Sequence, residues 1–166
     1  MAVIDVHTHM MSPVWVEAIG KDETYGLTEV NGKRMIALGG RPYMPVEDEM
    51  LDYDRRIKDM DAAGVDLAII SLTTPSVYWA DQAEAARLSR TVNDEMADRQ
   101  RAFPDRLRFF ATLPWQYPEE AVTELVRTLE LGAVGVFVGA NLEGLSLTDA
   151  SLAPVWEAID ARALPV

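Results

Sequence analysis

The chain has no cysteine, which excludes disulfides and thiolate chemistry and leaves stability to ordinary packing. Histidine is nearly as scarce, with two in 166 residues. Basic side chains are in the minority: 15 Lys and Arg stand against 27 Asp and Glu, a formal net charge of −12. A surface of that sign repels polyphosphate and anionic lipid, so neither nucleic acid nor a membrane is an expected partner, and an anionic substrate would need a local cation. No apolar run is long enough to span a bilayer, and the first twenty residues lack the basic stretch of a signal peptide, so the expected location is the cytoplasm.

What is present is the composition of a folded domain. Hydrophobic residues make up 49% and charged residues 25%, too apolar for disorder and of a length that suits one domain over 1–166. Short runs rich in β-branched and aromatic residues recur at 2–7, 66–72, 107–113 and 133–138 and read as buried strands. Helical patterns separate them. Met50, Tyr53, Ile57 and Met60 share one face of a helix over 50–63 that Gly64 closes, and a longer helix runs through 80–102. A third opens at Pro118 with Glu119 and Glu120 in its first turn and stops before Gly132, and a fourth starts at Pro154 after a turn around Asp149.

Leu164-Pro165-Val166 reads as the first residues of a fifth strand. The βα alternation predicts parallel strands with crossover helices, an α/β fold. A loop at about 12–49 interrupts it and holds a small hairpin turning at Asn31-Gly32.

Both histidines sit in V-I-D-V-H-T-H-M-M. On a strand, residues i and i+2 point to one side, so His7 and His9 project in parallel from the end of the first strand and are able to share a metal ion. H-x-H spacing is weakly specific and also fits solvated or hydrogen-bonded surface histidines. Position adds to it, because reactive residues gather at the C-terminal ends of parallel barrel strands. Neutral imidazole suits Zn²⁺ or a similar transition metal, yet a catalytic zinc takes about three protein ligands. Asp5 is expected to face away from the histidines, with a supporting or packing role.

Several stretches resemble the N-terminal half of amidohydrolase-superfamily proteins, in the subgroup of 2-amino-3-carboxymuconate-6-semialdehyde, γ-resorcylate and 5-carboxyvanillate decarboxylases. They are I-D-V-H-T-H at 4–9, G-R-P-Y at 40–43, R-I-K-D-M-D-A-A-G-V-D at 56–66, T-T-P at 73–75, V-N-D-E at 92–95, F-P-D-R-L at 103–107 and G-V-F-V-G-A-N-L at 135–142. H-x-H after a first strand is common to the superfamily; M-D-x-x-G-V-D and the later N-D pair narrow it to the subgroup.

The resemblance implies a (β/α)₈ TIM barrel, of which this chain covers about the first four βα units, with His7 and His9 as ligands to zinc. It also implies a third histidine after a fifth strand, a catalytic histidine and a late aspartate. None of these is in the sequence, so the base and remaining ligands are expected beyond Val166, and the 166 residues alone are expected to be inactive. About 250 residues are typical of such a barrel, and four βα units would leave two open sheet edges. A half of a longer barrel is therefore the expectation, ahead of a half completed by another copy.

In the decarboxylases of this family an arginine after the first strand meets a substrate carboxylate, and the resemblance puts Arg41 there; pairing with Glu47 or Asp48 is the plainer alternative. Thr74, in the turn after the second strand, and Asn141, after the fourth, are candidates for substrate contact, against turn formation for the one and loop capping for the other. Trp79 and Trp115 would wall the pocket or simply pack. Asn93 and Asp94 read as structural hydrogen-bonding residues, and Glu47-Asp48-Glu49 as a solvated helix start.

The expected activity is metal-dependent, non-oxidative decarboxylation of a small unsaturated or aromatic carboxylic acid by a homodimer. A hydrolase or hydratase using the same metal, and a non-catalytic half-barrel, remain open.

Overall fold

The computed structural model describes residues 1–166. Along the chain come β1 (Ile4–Met10), α1 (Pro13–Ile19), β2 (Tyr25–Val30), β3 (Lys33–Leu38), β4 (Arg41–Pro45), α2 (Tyr53–Ala63), β5 (Leu67–Leu72), α3 (Gln82–Ala102), β6 (Leu107–Thr112), α4 (Pro118–Glu130), β7 (Gly135–Phe137) and α5 (Ala153–Asp160). The four apolar runs form one sheet in the order β1-β5-β6-β7, all pairs parallel. Helical crossovers join β5 to β6 and β6 to β7, as parallel pairing requires.

Helix boundaries follow local chemistry. Asp52 caps α2 by accepting from the Arg55 N–H, and Gly64 ends it in the left-handed region at φ 70°. Asp81 caps α3 by accepting from the Glu84 N–H. Pro118 starts α4 with Glu119 and Glu120 in the first turn, where carboxylates meet the positive end of the helix dipole.

The 12–49 segment is more ordered than a loop with a hairpin. It carries a short helix, α1, and its sheet has three antiparallel strands, β2-β3-β4. The Asn31-Gly32 turn is there, with both residues at positive φ, but β4 adds itself to the hairpin. Pro42 and Pro45 argue against a strand on propensity, and β4 lies at the sheet edge, where proline is tolerated. The run at 164–166 forms no strand, yet it lies beside β7, where a fifth strand belongs. The Val136 N–H donates to the Pro165 carbonyl at 3.0 Å, and the chain comes so near that a Cβ on Gly135 would stand 2.6 Å from that oxygen.

The core lies between the sheet and its helices. Ile70, Leu107, Phe109, Ala111 and Val136 from the strands and Leu88 and Leu125 from the helices are fully buried. A polar clamp crosses this layer. The Asn93 amide accepts from the Thr112 N–H and donates to the Thr112 carbonyl and to Glu124 Oε1, each at 2.8 Å. Glu124 is buried and paired bidentately with Arg127, which also reaches Asp94. The Asn93-Asp94 pair is thus structural: it ties α3 and α4 to the C-terminal end of β6. Trp115 is fully buried against Trp156 with ring centroids 4.9 Å apart, so it packs. No helix is long and apolar enough to cross a membrane.

Candidate metal centre and substrate cleft

His7 and His9 lie within β1, which runs on to Met10. Their rings are 4.9 Å apart between centroids and nearly perpendicular, and both face a cleft of about 200 Å³ together with Ser71, Phe110 and Phe137. Phe137 stands edge-on to His9 at 5.5 Å.

Asp5 is turned from this cleft by a bulge. A strict two-residue repeat would put residues 5, 7 and 9 on one face, but the β1–β5 register slips between Asp5 and Thr8. Asp5 is consequently opposite Ala68, which is buried under the helices, while His9 is opposite Ser71 on the cleft side. The Asp5 carboxylate accepts from the His7 N–H at 3.0 Å, satisfying a donor that the bulge takes out of the ladder.

Two residues without an expected role hold His9. The Ser71 hydroxyl donates to the Thr8 carbonyl at 3.4 Å and lies 2.9 Å from His9 Nδ1. With its own proton so directed, the Ser71 oxygen accepts from Nδ1–H, which leaves the lone pair on Nε2. Arg56 from α2 donates to the His9 carbonyl at 3.1 Å and to the Met10 sulfur at 3.4 Å. Burial and the neighbouring His7 hold His9 below its ordinary value of 6.5, so the ring is neutral at pH 7, the form that ligates a metal. Ser71 had a signal in the sequence, as the one hydroxyl in the apolar run D-L-A-I-I-S-L. Arg56 had one too, as the first residue of the R-I-K-D-M-D-A-A-G-V-D stretch, though nothing there pointed to His9.

This donor set fits a transition-metal ion at a two-imidazole corner. It is only part of a catalytic shell, because no group of three His, Asp or Glu side chains is assembled anywhere.

A second cleft, of about 340 Å³, lies among the loops that follow the strands. Ser71 and Phe137 line the inner cleft, whereas Thr74 and Tyr78 beyond β5 and Gly139 and Asn141 beyond β7 line the outer one, closed by Tyr25 and Tyr43 from the three-stranded sheet. Thr74 and Asn141 therefore share one cleft. Asn141 Oδ1 accepts from the Gly144 N–H at 2.7 Å, capping its loop, and its amide nitrogen makes no hydrogen bond within the chain. Arg41 is exposed on β4 and lines neither cleft. It makes no ion pair, since Glu47 pairs with Lys33 and Asp48 with nothing. Trp79 is half-buried outside both clefts, its indole N–H donating to the Ser76 carbonyl at 3.0 Å.

Residues 4–166 match the amidohydrolase family, and the chain belongs to it. Within that family the curated relatives it matches are decarboxylases. It is 31% identical over 161 residues to 2-amino-3-carboxymuconate-6-semialdehyde decarboxylase of Dictyostelium discoideum, covering 93% of this chain and 45% of the relative. The solved 5-carboxyvanillate decarboxylase of Sphingomonas paucimobilis superposes with a TM-score of 0.82 at 26% identity, over 98% of this chain and 50% of that one. A dihydroxybenzoic acid decarboxylase of Polaromonas, solved with manganese and 2-nitroresorcinol, gives 0.73 at 28% identity over 99% and 48%. The chain spans about half the length of these proteins, and its four βα units are a partial TIM barrel.

Proposed function

We propose that the protein is a metal-dependent, non-oxidative decarboxylase of an unsaturated or aromatic carboxylic acid. The observation that carries this reading is the His7 and His9 pair, one ring oriented by Ser71, facing a cleft at the strand ends of an amidohydrolase fold. His7 and His9 would hold the ion, with zinc as our choice on imidazole chemistry; manganese is what the Polaromonas neighbour holds. A divalent ion there supplies a Lewis acid beside the substrate. Thr74 and Asn141 would meet the substrate in the outer cleft, whereas Arg41, which lines neither cleft, is given no contact with it. Two imidazoles fall short of the usual three protein ligands, so the 166 residues alone should bind metal weakly and turn over nothing.

The test is CO₂ release from hydroxybenzoates and unsaturated carboxylic acids by the metal-loaded, full-length gene product. His7→Ala should abolish both metal binding and CO₂ release. Ring-opened or hydrated product without CO₂ would establish the hydrolase or hydratase reading instead. Unchanged activity in His7→Ala would reject metal dependence.

A further inference from the structure

The outer cleft contains one charged group, and its sign runs against an anionic ligand. Tyr25 and Tyr43 wall it with ring centroids 6.4 Å apart, Tyr78 lies below, and no lysine, arginine or histidine lines it. Its charge is the Glu143 carboxylate, whose Oε1 accepts from the Tyr25 hydroxyl at 2.9 Å and which makes no ion pair. Burial and Glu143 together push the Tyr25 hydroxyl well above its ordinary value, so it remains a donor that anchors the carboxylate.

The backbone under Glu143 is unusual. Leu142 and Leu145 bond to each other across a two-residue turn, with Glu143 at φ 55° and Gly144 at φ 93°. Such a turn favours Asn, Asp or Gly at its first position, and a long side chain held there costs on the order of 1 kcal/mol. A strained position that delivers a carboxylate into a cleft is a reason to look for a ligand contact.

We propose that Glu143, anchored by Tyr25, is a specificity-determining residue: the outer cleft takes a flat ring bearing a hydrogen-bond donor, a phenolic hydroxyl or an amino group, and rejects a second carboxylate at that end. The cleft volume is within the range of small-ligand pockets. The tyrosines supply ring faces, and the carboxylate rewards a donor and repels an anion. This rests on the decarboxylase reading for the identity of the acid, but not for the selectivity itself.

The experiment is calorimetric titration of the metal-loaded, full-length protein with benzoate, 4-hydroxybenzoate, 4-aminobenzoate and benzene-1,4-dicarboxylate. Wild type should prefer the hydroxy and amino acids over the dicarboxylate by roughly ten-fold or more. Glu143→Gln, at an exposed position that leaves the core untouched, should collapse that ratio toward one. Tyr25→Phe, which frees the carboxylate but keeps its charge, should reduce it less. An unchanged ratio in Glu143→Gln, or equal weakening for all four ligands, would overturn the proposal. If the ratio shifts as expected while no acid releases CO₂, the selectivity stands and the decarboxylase reading fails.

Discussion

The two faces of the parallel sheet are made by alternate residues of the same strands, yet they end in different states. Under the helices Ile70, Phe109 and Val136 have no exposure at all, and every polar group of the Asn93 amide is matched. On the other face Ile4 is 53% exposed, Val6 near the bulge is 60% exposed, and His7 is open. The first face has the close packing of a protein interior. The second is apolar too, but it surrounds two imidazoles, of which the His9 ring is held by Ser71 and its backbone carbonyl by Arg56. One face should therefore carry stability and the other ligand chemistry, and each can be perturbed without the other.

The largest effect is expected on the covered face. Asn93→Ala removes three hydrogen bonds at once, taking both side-chain partners from the buried Thr112 backbone and one donor from Glu124, which keeps its Arg127 pair. Leaving buried polar groups unsatisfied in this way costs about 2–4 kcal/mol. Denaturant unfolding should show that loss; a change under about 1 kcal/mol would mean that water replaces the amide and that the clamp is dispensable.

On the open face the same experiment should give the opposite pattern. His9→Ala should abolish measurable zinc or manganese binding while costing less unfolding free energy than Asn93→Ala, about 1 kcal/mol for a half-buried ring and one hydrogen bond. Unaltered metal affinity would remove β1 from the site. Ser71→Ala is the finer cut. It keeps both imidazoles but releases His9 Nδ1, and loss of a hydrogen bond behind a metal ligand lowers affinity about 10–100-fold. Competition titration with a chelator reads the affinity, and ¹⁵N NMR of the His9 ring reads the tautomer; if both match wild type, the hydroxyl does not orient the ring.

Why some of this was legible in the sequence follows from the same contrast. Covered strands and helices announce themselves by periodicity, and Gly64 and Pro118 stand where the pattern puts them, although the Asp52 and Asp81 caps start two of the helices two to three residues later than the pattern suggests. The H-x-H pair was legible because β1 keeps both rings on one side. Three features were not. Asp5 faces away from the histidines as expected, but alternation alone does not turn it there: a bulge at Asp5–Thr8 does, and it exists through register against β5, which no local pattern in β1 encodes. The third strand β4 forms despite two prolines because β3 offers it an edge. The outer cleft joins Tyr25 to Glu143 across 118 residues, a contact made by the meeting of an insertion with a loop, and neither residue stands in a motif.

The smallest effect returns to the covered side and is read through pH. Glu95 on α3 lies inward beside Ser12 and Arg99, and burial raises its carboxyl above the ordinary 4.5 by more than those two neighbours lower it. A carboxyl whose folded-state value is raised holds its proton more tightly when folded, so its contribution is favourable at acid pH and is lost as pH rises from 4.5 through the folded value. Above that window the charged group opposes folding. Glu95→Gln, which keeps the shape and removes the charge, should therefore be more stable than wild type at pH 7, with the difference disappearing as pH falls below 4.5. Parallel urea titrations of the two proteins at pH 4 and pH 7 decide it, and a gain of equal size at both values would mean that the substitution acts through packing rather than through the buried charge.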